Sequence, residues 1–205
     1  MKSLVLIGGG SHARVVGEAA LAASLSLLGF VDPVDCDETV RRLGVPRLGD
    51  ETALAGCTDA LAVLGFGAVT DVAPRVSAVE RLSGLVAGWA TVIHPSATVS
   101  ASAVIGEGSV IMAGAVIQSG ARIGAHCVVN TGALIDHDTV LEDHVQISPG
   151  AVLGGGVVVE RGAYIGIGAI VRDHVRIGAH SLVAMGAAVV GDVGPNQRVM
   201  GVPAR

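Results

Sequence analysis

From Ile93 to Gly194 the chain repeats in sixes: IHPSAT VSASAV IGEGSV IMAGAV IQSGAR IGAHCV and onward. The first residue of each hexad is Ile, Leu or Val at every step from Ile93 to Val189, which is (189 − 93)/6 + 1 = 17 consecutive hexads. The fifth residue is only ever Ala, Ser, Thr, Cys or Val. A period of six held this long is the signature of a parallel β-helix, in which each hexad supplies a short strand and a turn. Three hexads close roughly one triangular coil of about 18 residues, and successive coils pair as parallel strands about 4.8 Å apart. The aliphatic residues then stack in columns inside the prism, and the small fifth residues fit corners too tight for Leu or Phe. This explains why the chain has one Trp, one Tyr and only two Phe. One hexad buries little alone, so stability comes from stacked neighbours. The unbroken run leaves no long lid loop. A site must therefore sit on the coils, between subunits, or against the N-terminal region.

The composition shifts near Gly88 and Trp89, which divides the 205 residues into a domain over 1–88 and a β-helix with a short tail over 89–205. A net charge of −5, with no basic cluster or aromatic platform, argues against nucleic acid as a partner. The opening MKSLVLIGGG has its apolar run cut short by three glycines, and reads as a buried strand and not as a signal peptide. No apolar run reaches the roughly 18 residues of a membrane span. Cys36, Cys57 and Cys127 show no paired spacing, which fits a reducing cytoplasm. Cys127 occupies a small fifth position and reads as a packing residue.

The N-terminal region reads as an α/β unit. Leu4 to Ile7 is a strand, Gly8 to His12 a turn, Ala13 to Leu28 a helix stopped by Gly29, and Phe30 to Asp32 a second strand. A third strand is expected at 60–64 and a helix at about 70–82. Gly8, Gly10 and Ala13 fit the pattern G-x-G-x-x-G/A, with Asp32 about 20 residues on as the usual ribose contact. Glycine lets a backbone approach a phosphate, and a helix N-terminus supplies N–H donors. Only one mononucleotide-binding half fits before the hexads, which favours a mononucleotide or sugar nucleotide over a dinucleotide. His12 is placed either to hydrogen-bond a phosphate or to cap the helix.

Six of the seven histidines lie in the hexad region. His126, His144 and His180 share the fourth hexad position at multiples of 18 and fall on one edge, as solvated corner residues or as neighbours of another subunit. His174 lies on another edge, and His94 reads as a turn residue. His137 differs, being flanked by Asp136 and Asp138. One coil up lies Gly155 within Gly154-Gly155-Gly156, and one coil down lie Ser119 and Gly120. The imidazole thus has few side chains above or below it. A carboxylate beside a histidine fixes its tautomer and raises its basicity. A base beside bare glycine amides suits acyl transfer, where an amide can stabilise an oxyanion.

With IGGGSHARVV at the start, the hexads, IDHD at 135–138 and GVPAR at the end, the chain resembles bacterial sugar O-acyltransferases of the sialic acid O-acetyltransferase type. That group includes the nucleotide-linked 4-amino-4,6-dideoxy-sugar N-acetyltransferases. The resemblance implies an N-terminal half-Rossmann-like domain, a left-handed parallel β-helix, and a homotrimer with sites between subunits. It implies acetyl-CoA as donor and a UDP- or GDP-linked amino sugar as acceptor, with no metal. His137 matches the general base, Asp138 the acid that orients it, and Gly155 the oxyanion amide. Ile167 and Met185 match positions lining the thioester and pantetheine. Gln146 falls where some members carry a second histidine that contacts acetyl-CoA. Gly10, Ser11, His12 and Asp32 match the nucleotide-sugar pocket, and Asn130, one coil corner from His137, is expected to contact the sugar. O-acetylation of a hydroxyl is the nearest alternative. A β-helix carbonic anhydrase, needing three convergent histidines, and a non-catalytic scaffold are the others.

Overall fold

The computed structural model describes residues 3–68 and 70–205. Strand β1 (Leu4–Ile7) is buried at all four positions, as suits a central parallel strand covered on both faces. Helix α1 (Ser11–Ala22) crosses over to β2 (Leu27–Val31). Then come α2 (Asp37–Leu43), β3 (Arg47–Gly49), a 3₁₀ turn (Glu51–Gly56), β4 (Leu61–Leu64) and α3 (Ala73–Leu82). The four parallel strands lie in the order β3-β2-β1-β4.

The first helix ends well before the expected Leu28, and Gly29 does not stop it. Ser24 takes the left-handed conformation at φ 60°, its N–H bonds the Leu21 carbonyl, and the Leu25 N–H returns to Ala20. This is a Schellman closure with serine where glycine usually stands. Gly29 lies inside β2, where a Cβ would meet the Pro46 carbonyl oxygen at 2.6 Å and Leu48 at 2.8 Å. Close approach of β3 sets that glycine. The helix expected from Thr70 starts instead at Ala73, whose N–H is taken by Asp71 at 2.9 Å.

Residues 92–199 form eighteen two-residue strands in three parallel sheets of seven, six and five strands. Pairing advances by 18 residues per coil, as in Ile117 to Ile135 to Leu153. The first hexad residues from Ile111 to Val189 are nearly inaccessible, and so are the fifth residues from Ser109 to Ser181. Polar fifth residues are satisfied within the core: Ser109 Oγ donates to Gly124 at 2.8 Å, and Thr139 Oγ1 to Gly154 at 3.1 Å. The fourth residue of every hexad from 108 to 186 has a positive φ, at fourteen positions. Nine are glycine, four are His126, His144, His174 and His180, and one is Asp138. The left-handed region admits Asp and His more readily than most side chains.

The N-terminal domain lies on the seven-stranded sheet. Val92, Val110, Met112 and Val128 share a core with Leu4, Leu6, Val16 and Phe30. The segment 88–90 runs along β4: the Ala62 N–H donates to Gly88 and the Ala90 N–H to Ala62. Where a boundary was expected after residue 88, the two parts are stitched together. Among the described residues no helix is long and apolar enough to cross a membrane.

Candidate active site

Two groups of candidate residues lie on different corners of the prism. The first is a cavity of about 470 Å³ where the N-terminal domain meets the corner between the seven- and six-stranded sheets. Its lining brings Gly10, Ser11 and His12 together with Asn130, Gln146 and Ile167. The loop Gly65-Phe66-Gly67-Ala68 forms one wall. Residues from the expected sugar-nucleotide and cofactor groups, more than 100 residues apart in sequence, thus line one cavity. Two polar atoms here, His12 Nε2 and Ser148 Oγ, are buried without a protein partner. Buried polar atoms are normally paired, so both await a ligand or water.

The glycine loop is held by groups the motif does not show. The Gly9 N–H donates to Asp32 Oδ2 at 2.7 Å, and the Gly9 carbonyl accepts from buried Thr39 Oγ1 at 2.5 Å. Gly8 has φ 99°, whereas a Cβ on Gly10 would meet nothing within 4 Å. Gly10 thus leaves open backbone at the start of α1. Asp32 also accepts from the Val34 N–H at 2.8 Å. Its carboxylate fixes the loop and lies outside the cavity lining. His12 does not cap the helix, since the N-cap is Gly10 and no side chain bonds there. Burial first, and the Arg75 guanidinium second, push the His12 pKa down to about 4, so its ring is neutral at physiological pH.

The second group stands at the corner between the six- and five-stranded sheets. His137 Nδ1 lies 3.0 Å from Asp138 Oδ2, and the His137 N–H donates to Asp136 Oδ1 at 2.7 Å. The Asp138 hydrogen bond, reinforced by the charge of Asp136, raises the His137 pKa. With Asp138 accepting from Nδ1–H, the lone pair sits on Nε2. Glycines make this arrangement possible. A Cβ on Gly155 would lie 2.5 Å from His137 Nε2, and one on Gly120 would collide with Asp138 Oδ1. The Gly155 N–H finds no protein acceptor among the described residues. His137 is exposed, with 58% of its side chain accessible.

The remaining histidines divide differently from expectation. His126 and His144 are neither solvated nor at a free edge. Both are buried, stacked with centroids 5.1 Å apart, and Trp89 meets His126 edge-on at 5.1 Å. Burial lowers both pKa values, that of His144 to about 4. They fill the joint under α3 beside fully buried Arg75, whose guanidinium donates to Phe66 and His126 carbonyls. No signal in a single hexad tells a covered corner from an open one. His180 and His174 are exposed, and His94 Nδ1 accepts from the Ser96 N–H in its turn. Cys127 is buried with its thiol pushed up to about 12, as a packing residue would be. Ile167 and Met185 are exposed and one coil apart, Met185 beyond the cavity.

The cavity and His137 flank opposite edges of the six-stranded sheet. Its outward column is Thr98, Val116, Leu134, Val152, Ile170 and Ala188, apolar from Val116 onward, with Leu134 and Ile170 exposed.

Known proteins share this fold. Residues 3–82 match the family model described as the PglD N-terminal domain, and 102–137 match the bacterial transferase hexapeptide model. The structure of a histidine-to-asparagine mutant of perosamine N-acetyltransferase from Caulobacter crescentus, in complex with CoA and GDP-perosamine, superposes with a TM-score of 0.90. It is 34% identical over all of this chain and 96% of that one. The acetyltransferase domain of PglB from Neisseria gonorrhoeae, in complex with acetyl coenzyme A, gives 0.88 at 33% identity over all of this chain and 98% of that one. WeeI from Acinetobacter baumannii shares the fold with a TM-score of 0.83 at 24% identity, over all of this chain and 99% of that one. No match was found among curated protein sequences. The long parallel coil is thus the left-handed β-helix of hexapeptide-repeat proteins.

Proposed function

The chain belongs to the hexapeptide-repeat sugar N-acetyltransferases represented by perosamine N-acetyltransferase, and on that premise we propose that it moves an acetyl group from acetyl-CoA to the 4-amino group of a UDP- or GDP-linked 4-amino-4,6-dideoxy sugar. The observation that carries this reading is the His137 site, with Nδ1 held by Asp138 and Nε2 facing bare Gly155. The sugar amine attacks the thioester carbonyl carbon directly. His137 Nε2 accepts the proton the nitrogen loses, the Gly155 N–H stabilises the oxyanion, and the C–S bond breaks to release CoA. No enzyme nucleophile is needed, in keeping with the buried thiol of Cys127. The cavity receives the sugar nucleotide, with its phosphates at Gly10, Ser11 and neutral His12 and its sugar near Asn130. Ile167 and Met185 line the acetyl-CoA path. A panel of nucleotide-linked amino sugars with acetyl-CoA, read by mass spectrometry, tests the assignment. Acetylation of hydroxyl sugars in place of amino sugars would favour the O-acetyl reading, and absence of any transfer would defeat both.

The same geometry supports a trimeric assembly. His137 and the cavity stand on opposite edges of one exposed apolar sheet face. A second copy packed along that face brings the His137 edge of one subunit to the cavity edge of the next, and three such contacts close a ring. Light scattering should therefore report a trimer. A monomer at assay concentration would sink the interfacial site.

Asp32→Ala should raise the Michaelis constant for the sugar nucleotide and leave that for acetyl-CoA nearly unchanged. The Gly9 N–H loses its anchor, and the glycine turn that lines the cavity loses its hold. Equal changes for both substrates, measured by steady-state kinetics, would contradict this division of labour.

A further inference from the structure

Gln146 falls at a position expected to touch the cofactor, yet both polar atoms of its carboxamide bond elsewhere. Oε1 accepts from the Ala68 N–H at 2.7 Å and Nε2 donates to the Ala68 carbonyl at 2.8 Å. Both bonds are buried and join residues 78 apart in sequence. Gln146 itself is only 4% exposed. We propose that Gln146 is a positioning residue that clamps the Gly65–Ala68 loop onto the β-helix and so sets the wall of the sugar-nucleotide cavity.

Three observations support the clamp. First, the loop is closely seated at its start. A Cβ on Gly65 would sit 2.9 Å from both the Ala13 Cβ and the Gly8 carbonyl oxygen, so the loop runs against the glycine turn at the start of α1. Second, it is fastened at a second point from behind. Arg75 donates to the Phe66 carbonyl with one guanidinium nitrogen and to His126 of the β-helix with another. Ala68 is the matching point at the cavity side. Third, the loop carries the surroundings of His12. Gly67 lies against the His12 ring and Gln146 together, with both within 4 Å of a built Cβ. His12 Nε2 and Ser148 Oγ, the unpaired polar atoms of the cavity, share its lining with Gln146. Without the carboxamide, the Ala68 N–H and carbonyl would both be buried and unpaired, and an unmade buried hydrogen bond costs more than a made one contributes. The loop would move outward to find water, and the cavity wall would go with it.

The proposal rests on the sugar-nucleotide reading of the cavity, and the test separates the two. Gln146→Met keeps side-chain volume without hydrogen bonds. Gln146→Asn keeps the carboxamide one methylene short of Ala68. Full-chain protein is assayed with GDP-perosamine and a UDP-linked 4-amino sugar, and amide hydrogen exchange is followed over residues 65–68. Both variants should speed exchange in that loop and raise the sugar-nucleotide Michaelis constant by roughly tenfold, the equivalent of about one lost hydrogen-bonding group. The constant for acetyl-CoA should stay within about twofold. Unchanged exchange in either variant overturns the clamp. So does a rise confined to acetyl-CoA, which would make Gln146 a cofactor contact. A wild-type behaviour of Gln146→Asn overturns it as well, since an amide that cannot reach Ala68 would then suffice. If wild-type protein acetylates neither sugar, the substrate reading fails while the exchange rates still decide the clamp.

Discussion

His137→Ala is expected to lower turnover by roughly 10²–10⁴-fold, the usual contribution of a positioned general base. The amine must lose a proton as it becomes an amide, and Nε2 carries the free lone pair, beside the bare backbone of Gly155. The Michaelis constant for acetyl-CoA should change little, because the imidazole contributes to the reacting corner and not to the cofactor path. The pH dependence supplies a second readout. A base works only when deprotonated, and Asp138 and Asp136 raise the His137 pKa. The ascending limb of the profile should therefore lie above the ordinary histidine value of about 6.5. Asp138→Asn removes the larger of the two causes, so its limb should move down toward that value with a smaller loss of turnover than His137→Ala. The limb should vanish in His137→Ala. Near-normal turnover in that variant would send the proton elsewhere, with His12 or Asp136 the next groups to examine.

Gly155→Ala should be nearly as damaging to turnover, for a steric reason. Its Cβ would lie 2.5 Å from His137 Nε2 and 2.6 Å from Cε1. The ring is exposed and free to swing, so the coil should remain folded while the base leaves its position. Misplacing a catalytic group by about 1 Å can cost about 10²-fold, and a loss of that order is expected here. The amide N–H survives the substitution, so the variant separates loss of base geometry from loss of the oxyanion donor. Circular dichroism and trimer content should match wild type. Retained turnover would show that the ring position set by Gly155 is not the one the reaction uses.

The β-helix was legible because its core is periodic in sequence: each inward residue lies six from the last, and 17 repeats make the pattern unmistakable. His137 was legible for a related reason, since a step of 18 residues along the chain is one step along the prism, which places Gly155 above it. What the sequence hid was non-periodic. The end of α1 turns on Ser24 in a left-handed conformation, a role that serine rarely fills, while the leucines beyond it suit helix and strand alike. The burial of His126 and His144 depends on Trp89 and Arg75 arriving from outside the hexads. Thr39 on Gly9 and Gln146 on Ala68 are side chain–backbone bonds over 30 and 78 residues, with no motif to announce them. The resemblance placed Gln146 at the site, and only the folded chain shows which groups it holds.

The alternating backbone of the turns also defines a vocabulary for changing this surface. At the fourth hexad positions the positive φ admits glycine freely and a few short polar residues at modest cost, and the chain uses only Gly, His and Asp there between 108 and 186. At the third positions, where His137, Ile167 and Met185 stand, no such filter operates. Chemistry can therefore be rewritten one residue before each turn without disturbing the stack, while the orienting carboxylate one residue later is drawn from a short alphabet. Asparagine belongs to that alphabet and a β-branched residue does not. A scaffold of this kind separates what may vary from what must persist, at adjacent letters of the same repeat.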